Sequence, residues 1–414
     1  MHPSTTLFRR DFTLVVIGQI ISLFGNAILR FALPLYLLRT TGSPTLFGVV
    51  TACSFAPMVV LSLIGGIIAD RVNKRNIMVI LDACTAILVA GFTLILNVTS
   101  TVPLFILTLM LLYGISGTYQ PAVQASIPLL VAPERLMAAN AVINQVNTLS
   151  GLLGPVLGGI FYSLWGITPI LWLSVICFAF SAVMECFIHI PHTRRTNTTG
   201  IFVIVAGDLR ESCRFVRHER PLFFAIMALV ALFNLILSAC LIVGTPVLIT
   251  QTLALSDTLY GFTQGALALG GLCGGILAAL WASRLRIQQA HLLLLICACS
   301  VCGMGLALTC TASPLLAYGI ITVMSFFAMA ASTLFMVQIY TLVQTQTPPH
   351  LIGKVMAALI AIAMCGQPLG QALYGLLFEA LANQPWMVLF GAAITATAIA
   401  LISRSIFHRL NAAE

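Results

Sequence analysis

Twelve long apolar runs, most of them joined by short connections, constrain this chain more than any other feature it carries. They lie at approximately residues 12–38, 45–68, 76–97, 102–127, 139–162, 168–190, 221–250, 258–283, 290–311, 314–341, 352–381 and 385–406. The hydrocarbon core of a bilayer is about 30 Å thick, a distance an α-helix covers in about 20 residues. Inside hydrocarbon a span must satisfy its own backbone hydrogen bonds, and runs of this length do so as helices. Composition agrees, with 60% hydrophobic and 7% charged residues against about 25% charged in a soluble domain. The expected fold class is an all-α membrane protein with twelve transmembrane helices.

The basic residues orient these spans. With both termini cytoplasmic, all nineteen Lys and Arg except Arg30 and Arg39 fall on the cytoplasmic side, as the positive-inside bias requires. A multi-pass protein of the cell membrane follows. The formal charge of +8 then belongs to loops beside anionic lipid, and no nucleic-acid partner is needed to explain it. Arg9 and Arg10 lead into a run long enough to span the bilayer, so the first span is expected to act as the insertion signal and no cleaved leader is expected.

Several chemistries are excluded at this stage. The twelve Cys sit almost all in apolar runs, and the triplet Cys297, Cys299 and Cys302 has no neighbouring His or loop ligand. These thiols read as small buried hydrophobes, neither metal ligands nor disulfide partners. The chain has no His-Glu-x-x-His pair, no phosphate-cradling glycine loop with its lysine, and no nucleophile and base at a telling spacing. Neither an enzyme nor an ATP-driven pump is expected, and no cofactor.

One polar stretch interrupts the apolar pattern in an informative way. Gly65-Gly66-Ile67-Ile68-Ala69-Asp70-Arg71-Val72-Asn73-Lys74-Arg75-Asn76 places an acid and four bases between two spans. It resembles the loop between helices 2 and 3 of the major facilitator superfamily of secondary transporters. Gly65 and Gly66 allow close approach to a neighbouring helix, and Asp70 emerges where it can face the positive end of another. The resemblance implies a gating role for Gly65, Gly66, Asp70, Arg71 and Arg75. Asp70 would contact the start of helix 11, after Pro348-Pro349, and hold the cytoplasmic side shut.

The second half echoes the first. Gly65-Gly66 corresponds to Gly274-Gly275 at an offset of 209, and Pro155 to Pro368 at an offset of 213. Ser283-Arg284-Leu285-Arg286 lacks the acid of the first copy. Duplicated six-helix halves are how this class of transporter is built, with substrate held near the midplane. The expected organisation is two pseudo-symmetric six-helix halves, residues 1–192 and 221–414. A cytoplasmic linker at 193–220 would include an amphipathic helix.

The fifth span carries Asn140, Asn144, Asn147 and Thr148, then Gly154-Pro155-x-x-Gly158-Gly159. Proline removes a backbone donor and bends the helix, and the glycines let a partner close over the bend. This run resembles the helix 5 motif of exporters in the superfamily, which implies gating at Gly154, Pro155, Gly158 and Gly159 and favours export. Gly18-Gln19, Gly25-Asn26, Thr41-Gly42-Ser43 and the stretch from Arg135 to Asn140 are similar to the macrolide-efflux and enterobactin-exporter branch. That branch implies export of amphipathic compounds coupled to the proton gradient. The fourth span departs from the family pattern in having no arginine.

Polar residues within the spans supply the candidate site. Gln19, Ser22, Asn26 and Arg30 fall on one helical face, a stripe that must turn away from lipid. Gln19, Asn26, Arg30, Gln120, Asn147 and Asn234 are the expected substrate-binding residues, with Arg30 alternatively a lock between helices. Met324, Phe326, Phe327, Met329, Phe335 and Met336 offer an adaptable apolar surface, or face lipid. Asp82 reads as a member of an inner ionic cluster with Arg75 or Arg135, or as a proton carrier. Glu185, with His189 and His192, reads as an interfacial cap, or as a relay; Glu379 sits near the outer end of the eleventh span. These three carboxyls, Asp82, Glu185 and Glu379, are the proton-coupling candidates.

A secondary active transporter is therefore expected, exporting drug-like or siderophore-like small molecules by alternating access with protons as coupling ion. The expected partners are the small-molecule substrate, protons and the lipid bilayer, around a monomer. A lysolipid or lipid flippase of the same fold, and a non-transporting membrane receptor or assembly factor, are the alternatives.

Overall fold

The computed structural model describes residues 9–96, 101–190, 221–281, 287–348 and 351–412. The expected linker helix at 193–220 and His192 lie outside these residues. Twelve helices are long and apolar enough to cross a membrane. In the first half they are α1 Arg10–Thr41, α2 Pro44–Arg71, α3 Lys74–Ile95, α4 Thr101–Leu130, α5 Leu136–Trp165 and α6 Ile167–Cys186. In the second, α7 is built from four consecutive segments: Pro221–Phe233, Asn234–Ser238, Ala239–Pro246 and Val247–Thr252. It is followed by α8 Asp257–Leu280, α9 Ala290–Cys310, α10 Pro314–Gln346, α11 Ile352–Ala380 and α12 Pro385–Ala412.

Local chemistry explains several of the breaks. Gly42 (φ +65°) and Gly166 (φ +73°) adopt the left-handed conformation between α1 and α2 and between α5 and α6, where a side chain would be strained. The Asn73 side chain accepts from the Arg75 amide and caps α3, satisfying a donor that the first turn leaves free. Pro314 opens α10 at a position where no amide hydrogen is needed.

The chain forms two compact units, Met1–Thr41 with Cys53–Thr198 and Gly42–Ala52 with Thr199–Glu414. In the first, α1 packs on α5 and α6, and α3 packs on α4 and α6. In the second, α7 packs on α11, α8 on α10, and α9 on α10 and α12.

Glycine contacts repeat the same scheme in both units. A Cβ on Gly154 would lie 2.4 Å from Ala27 Cβ, and one on Gly158 2.9 Å from the Phe31 ring, so α5 meets α1 with no room for a side chain. Six helices on, a Cβ on Gly366 would lie 2.4 Å from the Ala231 carbonyl oxygen and one on Gly370 2.1 Å from that of Leu235, joining α11 to α7. Likewise a Cβ on Gly65 would sit 2.6 Å from Thr118 Cα, between α2 and α4, and one on Gly274 2.4 Å from the Ala330 oxygen, between α8 and α10. The sequence echoes thus fall on equivalent helix pairs, as expected where helices associate through small residues in lipid.

Two stretches of α7, Asn234–Ser238 and Val247–Thr252, are π-helical. Such insertions accompany functional sites, and the approach of Gly370 falls on the first of them.

Candidate functional site in the first six-helix unit

The polar stripe of α1 divides into two parts. Its first part, Gln19 and Ser22, is buried within the unit, at 0% and 4% exposure. Gln19 Nε2 donates to the Tyr119 hydroxyl of α4 at 2.7 Å, and that hydroxyl donates to Glu185 Oε1 of α6 at 2.7 Å. Ser22 Oγ donates to Asp82 Oδ1 of α3 at 3.0 Å, and the Ser181 hydroxyl of α6 also faces this carboxyl. Four helices therefore contribute to one enclosed polar cluster holding two acids.

Both acids correct the sequence expectations. Asp82 is not in an ionic cluster: it is 2% exposed and its partner is the Ser22 hydroxyl. Arg75 turns instead to the carbonyl of Cys186 at the end of α6, and Arg135 is exposed. Glu185 is not an interfacial cap: it is fully buried, because the last turn of α6 directs it toward Tyr119. His189, beyond that turn, donates its backbone amide to Asp11 at 3.1 Å. Asp82 Oδ2, Glu185 Oε2 and Gln19 Oε1 are buried without a hydrogen-bond partner. A carboxylate stripped of water and left without a cation is costly, so each acid requires a compensating proton or cation.

A layer of apolar side chains lies beside the cluster toward the helix ends that carry Arg10 and Lys74. It includes Phe12, Val15, Ile77, Met78, Val123 and Ile188. Away from that layer a cavity of about 20 Å³ opens beside Asp82, bordered by Ser22, Asn26, Thr85, Ser116, Tyr119 and Gln120 among others. This is room for a single water-sized particle. Asn26 and Gln120 are half-buried.

The second part of the stripe ends at Arg30. Its guanidinium lies 4.0 Å from the centroid of the Tyr113 ring of α4, an attraction between a cation and the ring face. Asn147 on α5 and Asn234 on α7 are half-buried and return their amide hydrogens to the carbonyls of Ile143 and Val230 in their own helices.

The remaining expected positions are spread over the chain. Gly154 and Gly158 form the α1 contact described above; Pro155 lies between them, and Gly159 is buried. Gly65 meets α4. Gly66, Asp70 and Arg71 are in α2, but their side chains fall outside the described residues. Glu379 is exposed at the end of α11, where its carboxylate accepts from the Ser43 hydroxyl and, at 3.0 Å, from the Thr45 amide at the start of α2.

The profile of the family described as Major Facilitator Superfamily matches residues 15–370. The chain belongs to the Major Facilitator Superfamily. Within it, macrolide efflux protein A of Streptococcus pyogenes is 26% identical over 405 residues, covering 92% of this chain and 93% of that one. The multidrug efflux pump Tap of Mycolicibacterium fortuitum is 24% identical over 388 residues, covering 91% of each. Among solved structures the nucleoside transporter NupG matches with a TM-score of 0.75 at 13% identity, over 96% of this chain and 98% of that one. A peptide transporter, POT, matches with a TM-score of 0.74 at 13% identity, over 98% and 96%. The protein is a multi-pass membrane transporter and not an enzyme.

Sequence reasoning missed Tyr119 and Ser116. Tyr119 resembles a core aromatic, and nothing local shows that its hydroxyl bridges two other helices. Ser116 was legible: with Tyr113 and Gln120 it makes an i, i+3, i+7 stripe on α4.

Proposed function

We propose that this superfamily member is a proton-driven exporter of amphipathic drug-like or siderophore-like molecules, working by alternating access from the cell membrane as a monomer with both termini cytoplasmic. The observation that carries the reading is the enclosed pair Asp82 and Glu185. Two acids at this depth with no cation against them are the groups through which an ion gradient can act. Relatives named as macrolide and multidrug efflux proteins, matched over nearly the whole chain, support export of such compounds.

In this reading Asn26, Arg30, Gln120 and Asn147 of one unit and Asn234 of the other contact substrate. Gln19 acts behind them, through Tyr119 and Glu185. The cavity beside Asp82 links the half-buried amides to the acids, so an occupied substrate site and the protonation of Asp82 influence each other. Gly65, Gly66, Asp70, Arg71 and Arg75 gate one face, and the bend around Pro155 with Gly154, Gly158 and Gly159 accommodates the change.

Proteoliposomes with an imposed pH gradient test this. Asp82→Asn and Glu185→Gln are expected to abolish gradient-driven export of a fluorescent macrolide or dye, and Glu379→Gln to retain it. If all three variants keep gradient-driven export, coupling does not run through these carboxylates and the proton reading falls. A parallel arm with labelled lysolipid distinguishes the flippase: movement of lysolipid in place of drug replaces the export reading.

A further inference from the structure

The geometry points to a binding site for a single desolvated monovalent cation of the sodium class in the cavity beside Asp82. The inference rests on the ion-coupled reading above and names a second ion that can occupy its centre. Asp82 Oδ2 is buried, unpartnered and at the cavity wall. Ser22 spends its hydrogen on Asp82 Oδ1, and Thr85 spends its own on the Leu81 carbonyl, so both hydroxyl oxygens keep lone pairs. Ser116, Asn26 and Gln120 border the same space with hydroxyl and amide oxygens.

This is one formal negative charge among neutral oxygens, the donor set of a hard cation. Among the described residues no group of three or more His, Cys, Asp or Glu is placed to hold a metal ion. A divalent ion would remain half-neutralised in this low-dielectric site, whereas a monovalent ion is balanced by Asp82 alone. Volume restricts the ion further: about 20 Å³ accepts one small particle and not an ion carrying its water shell. Leu23, Leu112, Ile115 and Phe178 close the remaining walls. The other titratable groups of the helices around Asp82 are Glu185 on α6 and Tyr119 on α4, and they bond to each other. Arg30 is engaged with Tyr113, leaving the cavity without a competing base. A proton on Asp82 and the cation are therefore mutually exclusive occupants.

Equilibrium binding of radioactive sodium to the purified full-length protein in lipid nanodiscs tests the site. At alkaline pH the parent protein is expected to bind a single ion saturably, with displacement by acid and lithium but not by choline. Asp82→Asn is expected to lose binding. Ser116→Ala, which removes one hydroxyl and little volume, is expected to weaken it by about tenfold. Absence of saturable binding by the folded parent protein overturns the inference, as does unchanged affinity in Ser116→Ala together with folded Asp82→Asn. Gradient-driven drug export by a protein that binds no sodium would overturn this site alone and leave the transport reading standing. Sodium binding by a protein that exports no drug would do the reverse.

Discussion

Replacing Tyr119 by Phe removes one oxygen and almost no volume, so its effect reports on the hydrogen-bond chain alone. The substitution leaves Gln19 Nε2 without its acceptor and Glu185 Oε1 without its donor. A buried group orphaned in this way costs about 1–3 kcal/mol, and two cost about 2–6 kcal/mol. Interhelical hydrogen bonds in membranes average only about 0.6 kcal/mol when the freed groups find other partners, so access to replacements decides the outcome. Gln19 and Glu185 are both at 0% exposure and neither borders the cavity. The larger range therefore applies, and Tyr119→Phe is expected to destabilise the protein by at least about 2 kcal/mol. Reversible denaturant titration of the purified protein in mixed micelles measures it. A Gln19→Leu by Tyr119→Phe double-mutant cycle should show a coupling of about 0.5–3 kcal/mol. A loss below about 0.5 kcal/mol with additive single changes would refute the reasoning, because the chain would then be re-hydrated or re-paired.

Gly370→Ala, whose Cβ would meet the Leu235 oxygen at 2.1 Å and Ala239 Cβ at 2.6 Å, is expected to destabilise by about 1–3 kcal/mol or more in a thermal melt, whereas Gly151→Ala, open on all sides within 4 Å, should be neutral or slightly stabilising. Arg30→Lys loses the planar stacking on Tyr113 and is expected to alter the substrate profile in a drug-resistance panel, as is Tyr113→Leu, with anionic compounds affected most. Glu379→Gln weakens the anchor on the first amides of α2 by about 0.3–1 kcal/mol, read as a small fall in melting temperature with transport retained. Asp70→Asn is expected to impair export while leaving insertion intact, and cysteine labelling of the adjoining cavity should rise; parent-like transport and labelling would remove Asp70 from the gate.

The number and position of the helices were legible because length and apolarity alone decide whether a segment spans a bilayer, and observed bounds such as Arg10–Thr41 for an expected 12–38 differ mainly at the polar ends. The duplication was legible in Gly65 and Gly274, since glycines recur where backbones must touch. The interior of the first unit was less so. Periodicity identifies the stripe Gln19, Ser22, Asn26, Arg30 but not which helix each residue meets, and Gln19 and Ser22 turn out to face α4 and α3 within their own unit. Glu185 lies one residue from the end of α6, so depth along the chain suggested the membrane surface while rotation about the helix axis places it in the core. The π-helical segments of α7 leave no compositional mark, because the same apolar residues serve an α-helix equally well.

Burial of acid is one-sided: among the described residues Asp82 and Glu185 are the only buried carboxyls, and the second unit, built on the same glycine contacts, buries none. That asymmetry sets a ceiling on how steep a concentration difference the machine can sustain. Each elementary charge crossing about 100 mV releases about 2.3 kcal/mol, enough to hold an uncharged compound at about fiftyfold disequilibrium. Two carboxyls admit at most two such charges per turnover, a limit of about 2,500-fold, and losing either acid lowers the attainable gradient and not merely the speed of reaching it.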